Sequence, residues 1–461
     1  MKHNNRKVLA GIVIFAIVSL ACAISVPGSG KVDNIATSVA ETVNVMAGTA
    51  VDELTSEPHE MDETPAPEAS VKYPIRVSFT TPDGSLYTWL DGTAAPTLLV
   101  ANEDVVDCVI SPDGSLIAFT RASGYVFLAL EVINADGTNR RTLLSASQAA
   151  AITGPEGAIG AEPGQLGWIP GTHTLSMSVR HYFEGPGLFV NQNFFVLDAD
   201  TGVFSTLFDT GNTTWQFVWT PDGSKVAISN PTGVEIYDAS GAKIAGPVVT
   251  HPFINTASEY AWTANPLWAE DGSSLIVRVP PQDPFFATGS DANSTIWRVS
   301  TGDWSAEQIL SSQMLYNMQG DTGVSPDLSK VIFLNQTGVP TDNMFNLVLT
   351  DLAGTSADIY ATGHFQGSLA WSPDSSHFFY SLGNMPSSQP YIGQVGSAPA
   401  AVADFTNPMT VKWVDVNRYL VSTNDSGRQR LLLGTLGEPT GLIYDSLTTF
   451  SSAYINYSVN R

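Results

Sequence analysis

The chain has 461 residues, with 44 acidic against 20 basic side chains for a formal net charge of −24, and it is 43% apolar with 14% of residues charged. A surface this acidic repels nucleic acid and anionic membrane alike, so neither is expected as a partner. The only cysteines are Cys22 and Cys108, which excludes a disulfide-stapled scaffold.

Residues 1–26 read as a targeting segment. Lys2, Arg6 and Lys7 give a basic start, and Val8 to Val26 is a run without charge. Ala21-Cys22-Ala23 places small residues at the −3 and −1 positions of a signal-peptidase site. Two alternatives stand beside cleavage: Cys22 as a lipid-modified first residue, and the run retained as a single anchor barely long enough to span. All three put the rest of the chain outside the cytoplasmic membrane, secreted or held to the cell envelope, with membrane contact through the N-terminus alone. That exported part holds 17 basic residues against 44 acidic ones.

Residues 27–72 form an acidic linker rich in Pro, Thr and Ser, a composition that cannot bury much apolar surface. Val32, Ile35, Val39, Val43 and Met46 have helical spacing within it. From residue 73 the pattern changes to short apolar strands separated by tight turns. The first are expected over Ile75–Thr80, Ser85–Leu90 and Thr97–Val100, followed by Val105–Ile110. Then a unit recurs, clearest in Trp219-Thr220-Pro221-Asp222-Gly223. Pro221 presets φ for a type I turn, Asp222 tolerates the next position, and Gly223 supplies the positive φ of a bulged hairpin. Related copies are Ser111-Pro112-Asp113-Gly114, Trp268-Ala269-Glu270-Asp271-Gly272, Ser325-Pro326-Asp327 and Trp371-Ser372-Pro373-Asp374, with weaker ones at Trp168-Ile169-Pro170-Gly171 and Trp413. A second turn signal alternates with them, at Asp136-Gly137, Asp200-Thr201-Gly202, Ser240-Gly241, Thr301-Gly302 and Ala353-Gly354. Copies lie roughly 40–60 residues apart, the period of a four-stranded propeller blade with variable loops.

These Ser/Thr-Pro-Asp-Gly repeats resemble those of TolB-type, WD-like propellers, which also occur in the propellers of prolyl-oligopeptidase-like peptidases. The resemblance covers about residues 73–461 and implies an all-β propeller of four-stranded antiparallel blades. Seven motif copies and one split blade give eight blades, closed by the leftover strand Ser452–Val459 pairing with the N-terminal three; seven is the alternative. The motif Asp residues are expected to hold turns and the Trp residues to fill the core. Cys108 falls on a strand as a small core residue.

Blade geometry then sorts the loops. The Pro-Asp-Gly turns and the second, Gly-containing turns share one face of the disc. The long connections 145–166, 180–193, 249–265, 278–295 and 381–391 fall on the other, where binding residues are expected. Candidate ligand contacts there are Arg180, His181, Tyr182 and Glu184, with Tyr260, Trp262, Phe285 and Phe286 as aromatic area. No catalytic residue, metal ligand set or cofactor is expected: the chain lacks His-Glu-x-x-His, a Cys pair for zinc and a Gly-x-Ser-x-Gly elbow. The expectation is therefore a monomeric binding module for a protein or glycan. The alternative is a carbohydrate-active lyase or hydrolase working at the channel mouth. Some TolB-like propellers resemble polysaccharide lyases with His-ligated metal, but the sparse histidines here depart from that pattern.

Overall fold

The computed structural model describes residues 75–124, 126–154, 156–184, 189–208, 216–254, 263–283, 287–314, 323–337, 344–365, 369–384, 387–425, 427–447, 455 and 457–460. They belong to one compact unit, Tyr73–Arg461. The expected targeting segment with Cys22 and the expected linker lie outside the described residues.

The strands assemble into an eight-bladed β-propeller of antiparallel sheets. Blade 1 joins Arg76–Thr80, Leu86–Leu90 and Thr97–Val100 to the last strand, Tyr457–Val459. Blade 2 is Val105–Ile110, Leu116–Ser123, Val126–Asn134 and Arg141–Ser145; blade 3 is Ala158–Trp168, Thr174–Phe183, Phe189–Asp198 and Phe204–Phe208. Blade 4 comprises Gln216–Trp219, Lys225–Asn230, Gly233–Asp238 and Lys243–Thr250, and blade 5 Asn265–Trp268, Ser274–Val279, Ser294–Ser300 and Ala306–Ser312. In blade 6, Lys330–Gln336, Phe345–Asp351 and Ala357–Gly363 pair, and a Val324–Val331 bridge marks its inner position. Blade 7 is Ala370–Trp371, His377–Leu382, Gln389–Gln394 and Ala400–Ala401; blade 8 is Pro408–Trp413, Arg418–Asp425, Arg428–Thr435 and Glu438–Leu447. The leftover C-terminal strand closes the ring as the sequence leads one to expect, with Val77 opposite Val459 and Phe79 opposite Tyr457.

Packing follows from strand alternation. The second strands of blades 2 and 4–8 are apolar at consecutive positions, so their two faces serve two neighbours; in blades 1 and 3 serines alternate with the apolar residues, as in Leu175-Ser176-Met177-Ser178-Val179. Leu116 and Ala118 join the seam with blade 3, whereas Ile117 and Phe119 join the seam with blade 1. Val331 and Phe333 likewise face blade 5 while Ile332 faces blade 7. The core is thus a series of eight separate clusters, one between each pair of adjacent blades, with Leu420 and Tyr457 sealing the last seam.

The motif tryptophans are core residues with a second task. The Trp413 indole donates to the Ala370 carbonyl at 3.0 Å, Trp371 to Gly323 at 2.8 Å, Trp268 to Val218 at 3.0 Å and Trp168 to Val109 at 3.2 Å. Each reaches the inner region of the preceding blade. Trp219 does the same through the Ser176 hydroxyl, 2.9 Å away.

The motif aspartates hold turns. Asp222 accepts from the Thr220 hydroxyl at 2.5 Å and from the Ser224 amide at 2.9 Å; these bonds pull its carboxyl down to about 2. Asp113, Asp327 and Asp374 repeat the arrangement with Ser111, Ser325 and Ser372. Where the glycine is missing, Leu328 (φ 55°) and Ser375 (φ 61°) adopt the left-handed conformation themselves.

The sequence reading passed over one copy of the motif. Thr81-Pro82-Asp83-Gly84 makes the same turn, with Thr81 donating to Asp83 at 2.5 Å. It lies between the second and third strands of blade 1, because that blade takes its inner strand from the other end of the chain. Its turn therefore sits on the long-connection face, where the Glu103 amide donates to the Gly84 carbonyl at 3.1 Å.

Candidate functional site

The long-connection face is dominated by blade 3. Its first three strands have 11, 10 and 10 residues, against 4, 6 and 6 in blade 4, so its inner sheet continues beyond the disc on that side. The capped helix Ala146–Ala150 leads into it; Ser145 accepts from the Gln148 amide, and Gln148 returns a bond to the Ser145 amide. Two stretches expected as irregular loops are thus largely ordered. Residues 145–166 hold this helix and most of a strand, and 180–193 are mainly the two long strands Thr174–Phe183 and Phe189–Asp198.

That order divides the predicted cluster. Arg180 and Tyr182 share one face of their strand, and His181 takes the other. On the first face Arg180 Nη1 stands 3.5 Å from Glu162 Oε1 across the register Glu162–Arg180. Burial and a hydrogen bond to Glu162 both push the Tyr182 phenol upward, so it stays a neutral donor. Glu184 is exposed at the end of the strand. The result is a half-buried guanidinium, carboxylate and phenol on a rigid sheet, with a second carboxylate beyond.

His181 is not a surface contact. It is 2% exposed, its Nε2 has no hydrogen-bond partner, and burial lowers its affinity for a proton. Tyr260, Trp262, Phe285 and Phe286 lie outside the described residues.

Sequence reasoning missed Glu162, which precedes Arg180 by 18 positions; only the antiparallel register brings the two together. It also missed a charged pair on the inner strands. Lys412 of blade 8 donates to the Tyr457 carbonyl at 3.0 Å and stands 5.2 Å from that ring's centroid. It acts electrostatically on Asp107 of blade 2. The Asp107 side chain is exposed, among the crowded inner strands. Desolvation by the surrounding protein leaves its carboxyl raised, in part countered by the Cys108 amide at 2.9 Å and by Lys412. Burial pushes the Cys108 thiol up to about 12, an unreactive core residue.

The opposite face offers a shallow cavity of about 430 Å³ between blades 5 and 6, lined by Glu270, Asp271, Ser273, Arg298, Asp327 and Leu328. Among the described residues no three His, Cys, Asp or Glu side chains are grouped to hold a metal ion, and no helix is long and apolar enough to cross a membrane.

No family profile matches this chain. No curated protein is similar to it in sequence. Several solved structures are similar to it in part. A eukaryotic initiation factor is 14% identical over 84% of this chain and 98% of its own, with a TM-score of 0.47. An oligogalacturonate lyase in complex with manganese is 12% identical over 67% of this chain and 82% of its own, with a TM-score of 0.44. TolB from Acinetobacter baumannii is 13% identical over 69% of this chain and 61% of its own, with a TM-score of 0.33. It is the chain's own strand order that defines a β-propeller, the class its repeats resemble.

Proposed function

We propose that this chain is an exported, envelope-associated propeller that binds a glycan or protein ligand at the long-connection end of blade 3, without chemistry of its own. One observation carries the reading. Blade 3 extends its inner sheet past the disc, and that extension presents Arg180, Glu162 and Tyr182 together on one face. A planar donor, a carboxylate and a neutral phenol on a rigid sheet suit hydroxyl- or carboxyl-rich ligands, and their fixed positions reduce the ordering cost of binding. The basic, apolar N-terminus supports export and supplies a link to the envelope.

A thermal-shift screen of the protein against oligosaccharides, peptides and divalent metals tests this. A ligand at one hundred times its Kd should stabilise the fold by about 2.7 kcal/mol. The shift should vanish in the Arg180→Ala/Tyr182→Ala/Glu184→Ala variant. A shift that survives those changes would place the ligand elsewhere. Turnover of an oligosaccharide during the screen would replace the binding module with the lyase or hydrolase alternative.

A further inference from the structure

Blade 3 carries a histidine at each end of its second strand, and the two sit in opposite environments. His173 lies at the short-turn end. Its Nε2 is 3.1 Å from Asp113 Oδ2 and 3.2 Å from the Ser115 hydroxyl, both in blade 2, and its Nδ1 is 3.0 Å from Asp200 Oδ2. Arg141 of blade 2 approaches Asp200 at 3.9 Å, and Asp198 adds further negative charge nearby. Partial burial pulls the His173 ring down, but the bonds to the two carboxylates outweigh it, leaving the ring raised and the charged form favoured.

At the far end, His181 continues the apolar face of Met177 and Val179 into the seam between blades 2 and 3. A Cβ added to Gly154 would stand 2.5 Å from its Nδ1, so the ring lies directly against the chain there. Ala149 is buried in the same seam, and Ile152 packs against it. Among the described residues no carboxylate is bonded to this ring, and Glu156, the nearest acidic residue along the abutting segment, is exposed to solvent. Residues 146–154 contain no titratable side chain, and the seam presents Phe127, Leu130 and Val132 from blade 2. Arg180, Tyr182 and Glu162 belong to the opposite face of the sheet, and burial alone accounts for the ring's behaviour.

We propose that the long-connection end of blade 3 is an acid-operated cover. Protonation of His181 expels its ring and lifts the segment 151–154, while the His173–carboxylate contacts keep the opposite end of the strand closed. The direction follows from linkage. The His181 proton affinity is depressed in the folded state, so its stabilisation is present above the unfolded value near ~6.5 and is lost as pH falls below it. His173 is raised, so its contribution is complete below ~6.5 and is lost as pH climbs through the folded value. Acidification therefore weakens one end of blade 3 while the other is at full strength. The opening exposes the apolar end of the blade 2–blade 3 seam beside the Arg180–Tyr182 face, giving the protein a different surface in acid. This does not depend on the ligand proposed above.

Hydrogen exchange of the full chain between pH 5 and 8, compared with His181→Phe at each pH, tests the cover without any ligand. Opening of peptides spanning 146–168 should rise in the wild type, relative to the variant, by up to roughly ten-fold per pH unit below ~6. Peptides around 172–174 and 198–203 should show no such rise. An equal pH dependence in both proteins overturns the proposal. Should His181→Phe fail to fold, titration of the His181 ring by NMR in the wild type decides. Exchange at 151–154 that tracks the ring's own protonation supports the cover, and exchange that ignores it overturns it.

Discussion

Gly223 and Gly171 both take a positive φ, 68° and 75°, in the first turns of adjacent blades, but one position apart: the Gly223 amide closes its turn on the Thr220 carbonyl, whereas Gly171 precedes the Thr172 amide that closes on Ile169. Their surroundings differ. A Cβ at Gly223 would come within 2.7 Å of the Pro170 carbonyl oxygen, whereas Gly171 has open space. Gly171→Ala should cost about 1–2 kcal/mol, the penalty of a left-handed L-residue. Gly223→Ala should cost clearly more, because backbone of the neighbouring blade must also move; chemical denaturation of the two variants measures the difference. Equal losses would show that the blades do not meet there as closely as described. Chemistry of this kind was readable from the sequence because it is local: Thr220, Asp222 and Ser224 bond over two residues. His181 was misplaced for the converse reason. In the sequence it stands among Arg180, Tyr182 and Glu184 and reads as a ligand contact. Strand alternation and a glycine 27 positions earlier bury it instead.

Among the elements, the inner strands carry the ring. Trp413 is 1% exposed and its indole N–H is bonded to the Ala370 carbonyl of blade 7. Trp413→Phe keeps an aromatic ring but leaves that carbonyl without its donor, an expected loss of about 1–3 kcal/mol in a urea melt. Trp297→Phe should cost less, since that indole bonds only to Thr295 of its own strand. The terminal strand is a larger case. Ending the chain after residue 454 removes Ile455 and Tyr457, both buried against Leu420 and Leu431 of blade 8. At about 2 kcal/mol or more for each buried side chain, the loss should reach at least about 4 kcal/mol, before counting the strand's pairing with Arg76–Thr80. A cooperative melt at the full-length temperature would mean that the ring does not depend on this closure. Both the closing strand and the blade count were legible, because strand, turn and period repeat along the chain. The length of blade 3 was not: Arg180 and Tyr182 look like loop residues until the register with Glu162 and Gly160 turns the stretch into sheet.

At the scale of the whole molecule, repetition specifies the scaffold and irregularity specifies the site. Among the described residues six blades have inner strands of two to six residues and blade 6 has the Val324–Val331 bridge in that place, with turns held by the same Ser/Thr–Asp bonds in several copies. Blade 3 departs from that plan, and it does so on one face only. The chain's net charge of −24 is spread over its whole length, so the proposed site rests on placed groups such as Arg180 rather than on bulk charge. The two faces make opposite predictions about where a ligand sits. The most direct measurement is binding of the intact protein to arrays of glycans and peptides, repeated with two variants of equal thermal stability. One is Arg180→Ala/Tyr182→Ala/Glu184→Ala on the long-connection face; the other is Glu270→Gln/Arg298→Gln in the cavity between blades 5 and 6. The first variant should lose at least ten-fold in affinity for the bound class while the second keeps it. Loss in the cavity variant alone would move the site to the short-turn face and contradict the central claim.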